Sequence, residues 1–135
     1  MTTRKRADLS MRVRSHLLHS DLLPHRPPHI QIEEGDLISF TYFPSHNVVL
    51  LPDEAAYAAC DSSEGVYEDD IPTVFPGSTF ELDSSVRNLT IHGLEAGNTY
   101  YFVCSIGAHC FAGQKIPVTV VSASPAPEPE PAPEN

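Results

Sequence analysis

The stretch from Thr99 to Val121 constrains this chain more than any other. It reads Thr-Tyr-Tyr-Phe-Val-Cys, then Ser-Ile-Gly-Ala-His-Cys-Phe-Ala-Gly-Gln, then Lys-Ile-Pro-Val-Thr-Val-Val. Both flanks are rich in aromatic and β-branched residues, which fit a pleated, half-buried strand. The middle is built of small residues, and Gly107 can adopt the positive φ that a tight loop demands. One strand-loop-strand unit therefore delivers Cys104, His109 and Gln114 together.

The same short-strand pattern runs upstream. Ile30 and Ile32 open a strand, Glu33-Glu-Gly-Asp turns, and Leu37 to Phe43 forms the next strand. After a break at Pro44, Asn47 to Leu51 continues extended. Asp53-Glu-Ala-Ala-Tyr-Ala-Ala-Cys, Ala-rich with acids at its start, predicts one or two helical turns. Residues 61–78 read as an acidic Gly/Pro/Ser loop. Strands recur at Thr79–Leu82, Leu89–His92, Thr99–Cys104 and Ile116–Val121. Many short strands with regular turn signals predict an all-β sandwich.

Three segments follow from this reading. Residues 1–28 are a basic, partly disordered lead in which Leu9, Met11 and Val13 alternate like a first strand, with a short helix over Leu17–Leu23 as the competing assignment. Residues 29–121 are the folded domain. Residues 122–135, dominated by Pro-Ala-Pro-Glu repeats, cannot pack a core and are expected to be extended polyproline II.

The chemistry of the cluster is specific. Cys104, His109 and Gln114, joined by the upstream His46, offer one thiolate, two imidazoles and a weak axial oxygen. That is the ligand set of a type 1 (blue) copper centre. Thiolate suits Cu(I), imidazole suits both oxidation states, and a near-trigonal set with a long axial contact is acceptable to both. Little then has to move when an electron arrives. A Gln oxygen, harder than a Met sulfur, favours Cu(II) and a lower potential. His46 must reach the cluster from a neighbouring strand. Asn47 beside it is positioned to hydrogen-bond the Cys104 loop, a supporting role common around metal ligands.

These residues resemble the phytocyanins, the plant-type cupredoxins, and the stellacyanin branch in particular. The resemblance rests on His46-Asn47-Val48, on Tyr57 with Cys60, on Tyr101-Phe-Val-Cys, Gly107-Ala-His-Cys and Gly113-Gln-Lys, and on Glu34-Gly-Asp-Leu-Ile-Ser-Phe. It covers roughly residues 29–121. It implies a cupredoxin-like Greek-key sandwich and one copper ion held by His46, Cys104, His109 and axial Gln114. It also implies a disulfide between Cys60 and Cys110. The chain departs from the family in having no Trp.

Charge bounds the partners. Residues 1–29 carry six bases and two acids, net +4, while residues 30–135 carry sixteen acids and two bases, net −14. An acidic body argues against nucleic acid, whose phosphates need cationic surface. A redox partner protein, or a small-molecule reductant or oxidant, is expected to dock near His109, where Ser105–Ala108 with Phe43 and Pro44 form a small apolar patch. The domain is expected to be a monomer without a membrane span. The resemblance and the disulfide imply an extracellular or cell-surface setting. No signal peptide is visible, and the Arg-rich start also fits an organelle transit peptide.

Other readings remain open at this level. The three cysteines could be free buried thiols. Cys104, His109, His46 and Cys110 could together hold zinc, although Cys60 and Gln114 would then have no role. The domain could serve as an interaction module in which metal is incidental. His92 belongs to an alternating strand and is not expected to ligate. His16, His19, His25 and His29 are expected to be solvated. Asn88-Leu-Thr90 matches the N-glycosylation pattern, which matters only in a secreted chain.

Overall fold

The structure, a computed structural model, describes residues 29–83 and 85–123. The lead over 1–28, the Pro-rich tail and three of the lead histidines lie outside the described residues. Eight strands form two sheets: β1 (Ile30–Glu33), β2 (Ile38–Tyr42), β3 (Val49–Leu51), β4 (Val66–Tyr67), β5 (Thr79–Leu82), β6 (Arg87–Ile91), β7 (Thr99–Val103) and β8 (Lys115–Val121). One sheet has the order β1-β8-β7-β3-β4 and the other β2-β6-β5. β1 runs parallel to β8, in register Ile30↔Val118, and every other pair is antiparallel. The chain crosses from one sheet to the other after β1, β2, β4 and β6, as in a Greek-key sandwich.

Alternation puts the apolar residues inside. Along β8 the residues Ile116, Val118 and Val120 are buried while their neighbours are half-exposed. Ile38, Phe40 and Tyr42 of β2 and Leu89 and Ile91 of β6 meet them from the opposite sheet. Phe40 and Phe102 stack across the gap with ring centroids 5.0 Å apart. Truncating a buried Phe of this kind typically costs about 3–5 kcal/mol, so this pair anchors the sheet-to-sheet contact.

β3 is buried at all three positions, which explains its unbroken Val-Leu-Leu run. Leu50 faces the main core, while Val49 and Leu51 face a second cluster with Tyr57, Val103 and Cys110. The cover over that second face is α1 (Glu54–Ala59). Its N-cap is Asp53, whose carboxylate accepts from Ala56 N–H at 2.8 Å. Such a cap contributes about 1 kcal/mol. The helix ends at Cys60 in the left-handed region, φ 53°, which a non-glycine residue enters only where its surroundings hold it. Two fastenings do so. Asp61 N–H bonds back to the Ala56 carbonyl at 2.9 Å, and Cys60 is joined to Cys110 by a disulfide.

Residues 61–78 are more ordered than their composition implies. The short β4 pairs with β3, and a turn of helix, α2 (Ile71–Val74), buries Ile71 completely. The acidic and Pro-rich flanks hide these elements from a periodicity test. Gly65, which precedes β4, is pressed against the Val49 side chain and the Ser62 carbonyl. That crowding, not backbone angle, is why glycine stands there.

Candidate metal centre

Two loops meet at one end of the sandwich. The first joins β2 to β3. A turn closed by His46 N–H to the Phe43 carbonyl at 2.9 Å reverses the chain and presents His46. The second joins β7 to β8. Cys104 directly follows β7 and Gln114 directly precedes β8, and Cys104 N–H bonds the Gln114 carbonyl at 3.0 Å. Inside that loop His109 N–H bonds the Ile106 carbonyl, Ala112 N–H the Ala108 carbonyl, and Gln114 N–H the His109 carbonyl. An eleven-residue loop so braced has few ways to move. Its middle is also tied by Cys110 to the end of α1.

The two loops bring His46, Cys104 and His109 together, with one ligand atom of each within 4.8 Å of the others. Cys104 Sγ is 3.3 Å from His109 Nδ1 and 3.9 Å from His46 Nδ1. The imidazole rings lie 4.8 Å apart, tilted by 40°. Sγ and N atoms bound about 2.0–2.3 Å from one shared ion stand roughly 3.3–4 Å apart, so this constellation is already spaced for a metal. Cys104 is the one free cysteine and is buried, while both rings are half-buried.

Two further features fit copper. Gln114 Oε1 is buried and has no hydrogen-bond partner, which leaves an acceptor available where an axial oxygen is wanted. Burial, then the nearby His109 ring, hold the His46 pKa below the ordinary value, with Gln114 partly opposing them. The neutral imidazole is thereby favoured, and that is the form that ligates a metal.

Asn47 locks the two loops to each other. Its Nδ2 donates to Ser105 Oγ and its Oδ1 accepts from Ser105 N–H, both at 2.8 Å. The residue after one imidazole is thus bonded twice to the residue after the thiolate.

The structure also separates what the sequence left open. Cys110 is in a disulfide and has no thiolate to give, which removes the four-ligand zinc set that included it. His92 is not part of the cluster; its backbone N–H bonds Ser78 Oγ. His29 is not merely solvated, since its Nε2 lies 2.8 Å from Thr119 Oγ1. Sequence reasoning missed Glu68, Tyr42 and Arg87, which pack beneath the His46 loop. One signal was available: Arg87 is one of only two bases after residue 29, and a lone cation in an acidic, folded body calls for a partner.

A two-sheet Greek-key sandwich that converges two imidazoles and a thiolate from its end loops is a cupredoxin domain, with the donor set of a single type 1 copper. No family model matches the chain. Chemocyanin of Lilium longiflorum is 35% identical over 86 residues, 63% of this chain and 54% of that protein. A blue copper protein of Arabidopsis thaliana is 28% identical over 89 residues, 66% of this chain and 37% of that protein. Among solved structures, Cu2+ cucumber stellacyanin is 28% identical and covers 70% of this chain and 73% of its own, with a TM-score of 0.48. The chain spans about half or less of the length of these two curated relatives. The similarity is to plant phytocyanins, over about two thirds of this chain.

Proposed function

We propose that this domain carries single electrons by cycling one copper ion between Cu(II) and Cu(I), with His46, Cys104 and His109 as equatorial ligands and Gln114 as the axial one. The observation that carries the reading is the convergence of Cys104 Sγ and two imidazole Nδ1 atoms on loops that are hydrogen-bonded to each other. Copper supplies the redox couple; the chain's own residues fix its surroundings. Asn47 and Ser105 hold the ligand loops together, the disulfide restrains the middle of the Cys104 loop, and the core beneath excludes water from Cys104. A rigid site with donors acceptable to both oxidation states keeps reorganisation small. An axial amide oxygen fits the stellacyanin-like branch that the sequence resembles. The domain moves electrons and turns over no substrate.

Electron exchange takes place at the half-buried His109. The loops that converge there carry exposed apolar residues: Phe43, Ile106 and, most of all, Phe111, which is 74% exposed. A redox protein with an apolar contact face fits this end. The two bases of the described body are both engaged, Arg87 with Glu68 and Lys115 with the Tyr57 carbonyl and ring. Little cationic surface is left for a nucleic acid among the described residues. Among the described residues no helix is long and apolar enough to cross a membrane. The Cys60–Cys110 bridge favours an oxidising, extracellular or cell-surface setting.

Titration with Cu(II), followed by visible absorption, tests the reading. An intense blue thiolate-to-copper band saturating at one equivalent, absent in Cys104→Ser, is the expected result. A wild-type protein that stays colourless with Cys104 free overturns it and leaves an interaction module in which metal is incidental. A blue band that survives in Cys104→Ser overturns the ligand assignment.

A further inference from the structure

Glu68 is a carboxylate where a carboxylate is costly. It is only 6% exposed, and it stands in the run Tyr-Glu-Asp-Asp, whose other members are exposed. A buried charge persists only when paired and hydrogen-bonded. Glu68 meets both conditions. Its Oε2 accepts from Arg87 Nη1 at 3.0 Å. Its Oε1 accepts from the Tyr42 hydroxyl and from Val48 N–H, both at 3.0 Å.

The two donors to Oε1 carry the inference. Tyr42 is the last residue of β2, and Val48 immediately precedes β3. The segment between them is the turn that presents His46, followed by Asn47. One carboxylate oxygen therefore closes the base of the loop that carries a ligand. Tyr42 and Arg87 belong to one sheet and face each other in the β2–β6 register, while Glu68 follows β4 in the other sheet. The loop base is thus fixed to both sheets at once. Burial and the adjacent Glu68 carboxylate both raise the Tyr42 pKa strongly, so its hydroxyl keeps its proton and remains a donor.

We propose that Glu68 is a positioning residue for the metal centre, and that its Oε1 staples the two ends of the His46 loop. Asn47 ties that loop sideways to Ser105; Glu68 holds it from below. The effect on copper rests on the electron-carrier reading given above, whereas the staple itself is a property of the metal-free fold. Glu68→Gln keeps an oxygen in the Oε1 position and so keeps both loop contacts, while its amide nitrogen gives up the contact with Arg87. Glu68→Ala removes both.

Two measurements on the full chain test this. In metal-free protein, hydrogen exchange by NMR should show protection lost selectively at Val48 and the neighbouring loop amides in Glu68→Ala, and largely retained in Glu68→Gln. In copper-loaded protein, Glu68→Ala should release copper to a chelator at least tenfold faster than wild type, with altered intensity of the blue band, while Glu68→Gln stays within about twofold. Val118→Ala, which weakens the core on β8 without touching the loop, serves as the stability control and should not accelerate release comparably. The proposal is overturned if Glu68→Ala loses copper no faster than Val118→Ala, or if Val48 stays protected. If wild type takes up no copper, the carrier reading fails separately and the exchange experiment still decides the staple. Should Glu68→Ala not fold, Tyr42→Phe removes one of the two Oε1 contacts while keeping the ring. It should give an intermediate release rate and intermediate exchange, and wild-type values for both would overturn the proposal.

Discussion

Replacing Asn47 with Ala should be strongly destabilising although it touches no proposed ligand. The side chain makes two hydrogen bonds to Ser105, one through Nδ2 to Oγ and one through Oδ1 from the backbone N–H, each 2.8 Å long. Each contributes about 0.5–1.5 kcal/mol net, and leaving the partly buried Ser105 N–H without an acceptor adds about 1–3 kcal/mol. These combine to roughly 2–4 kcal/mol, allowing for overlap between the terms. For a domain of this size the melting temperature should fall on the order of 10–20 °C. Ser105→Ala loses only the hydroxyl and keeps the backbone donor bonded, so its cost should be about 1 kcal/mol. Asn47→Asp can still accept from Ser105 N–H, and the Ser105 hydroxyl can rotate to donate to the second oxygen; it should retain most of the stability while favouring Cu(II). Thermal melts of the metal-free protein, arranged as a double-mutant cycle over positions 47 and 105, measure the coupling directly. A coupling energy near zero, or Asn47→Ala costing no more than Ser105→Ala, would refute the idea that this bridge holds the two ligand loops together.

Three further outcomes are expected. Gln114→Met should raise the reduction potential in voltammetry, because a soft sulfur replaces a hard oxygen and favours Cu(I); an unchanged or lower potential would remove Gln114 from the axial position. Replacing both Cys60 and Cys110 with Ser should destabilise the domain by about 4 kcal/mol in the chain-entropy account, given their separation of 50 residues, with chemical denaturation as the assay and a loss below about 1 kcal/mol as the contrary result. Gly65→Ala should destabilise despite the ordinary helix and strand preference for Ala over Gly, since a Cβ there meets the Val49 side chain and the Ser62 carbonyl; a melting temperature at or above wild type would show that the β4 approach can relax.

What was legible in the sequence divides along physical lines. β8 could be read because each alternate residue faces a core or solvent, and the pattern Ile116, Val118, Val120 records it. β3 was legible as an apolar run, but only the structure shows that α1 covers its outer face and makes the run necessary. α2 and β4 were not legible: they span four and two residues, too few for a period, and their partners lie far away in sequence. The three converging donors were the clearest signal, because soft-metal chemistry admits few residue types and the fold supplies them at nearly fixed spacing. Asn47 could be suspected from its place beside His46, since a ligand loop needs a tether. Glu68 could not. An acidic residue inside an acidic run looks like one more solvated charge, and nothing local distinguishes a carboxylate that turns inward. What marks it is the counterpart, Arg87, nineteen residues away and otherwise unexplained among sixteen acids. In a body with this much negative charge the scarce cations, rather than the plentiful anions, locate the buried polar structure. Arg87 leads to the underside of the His46 loop, and Lys115, bonded to the Tyr57 carbonyl at 3.2 Å, joins the strand after Gln114 to the helix that ends in the disulfide.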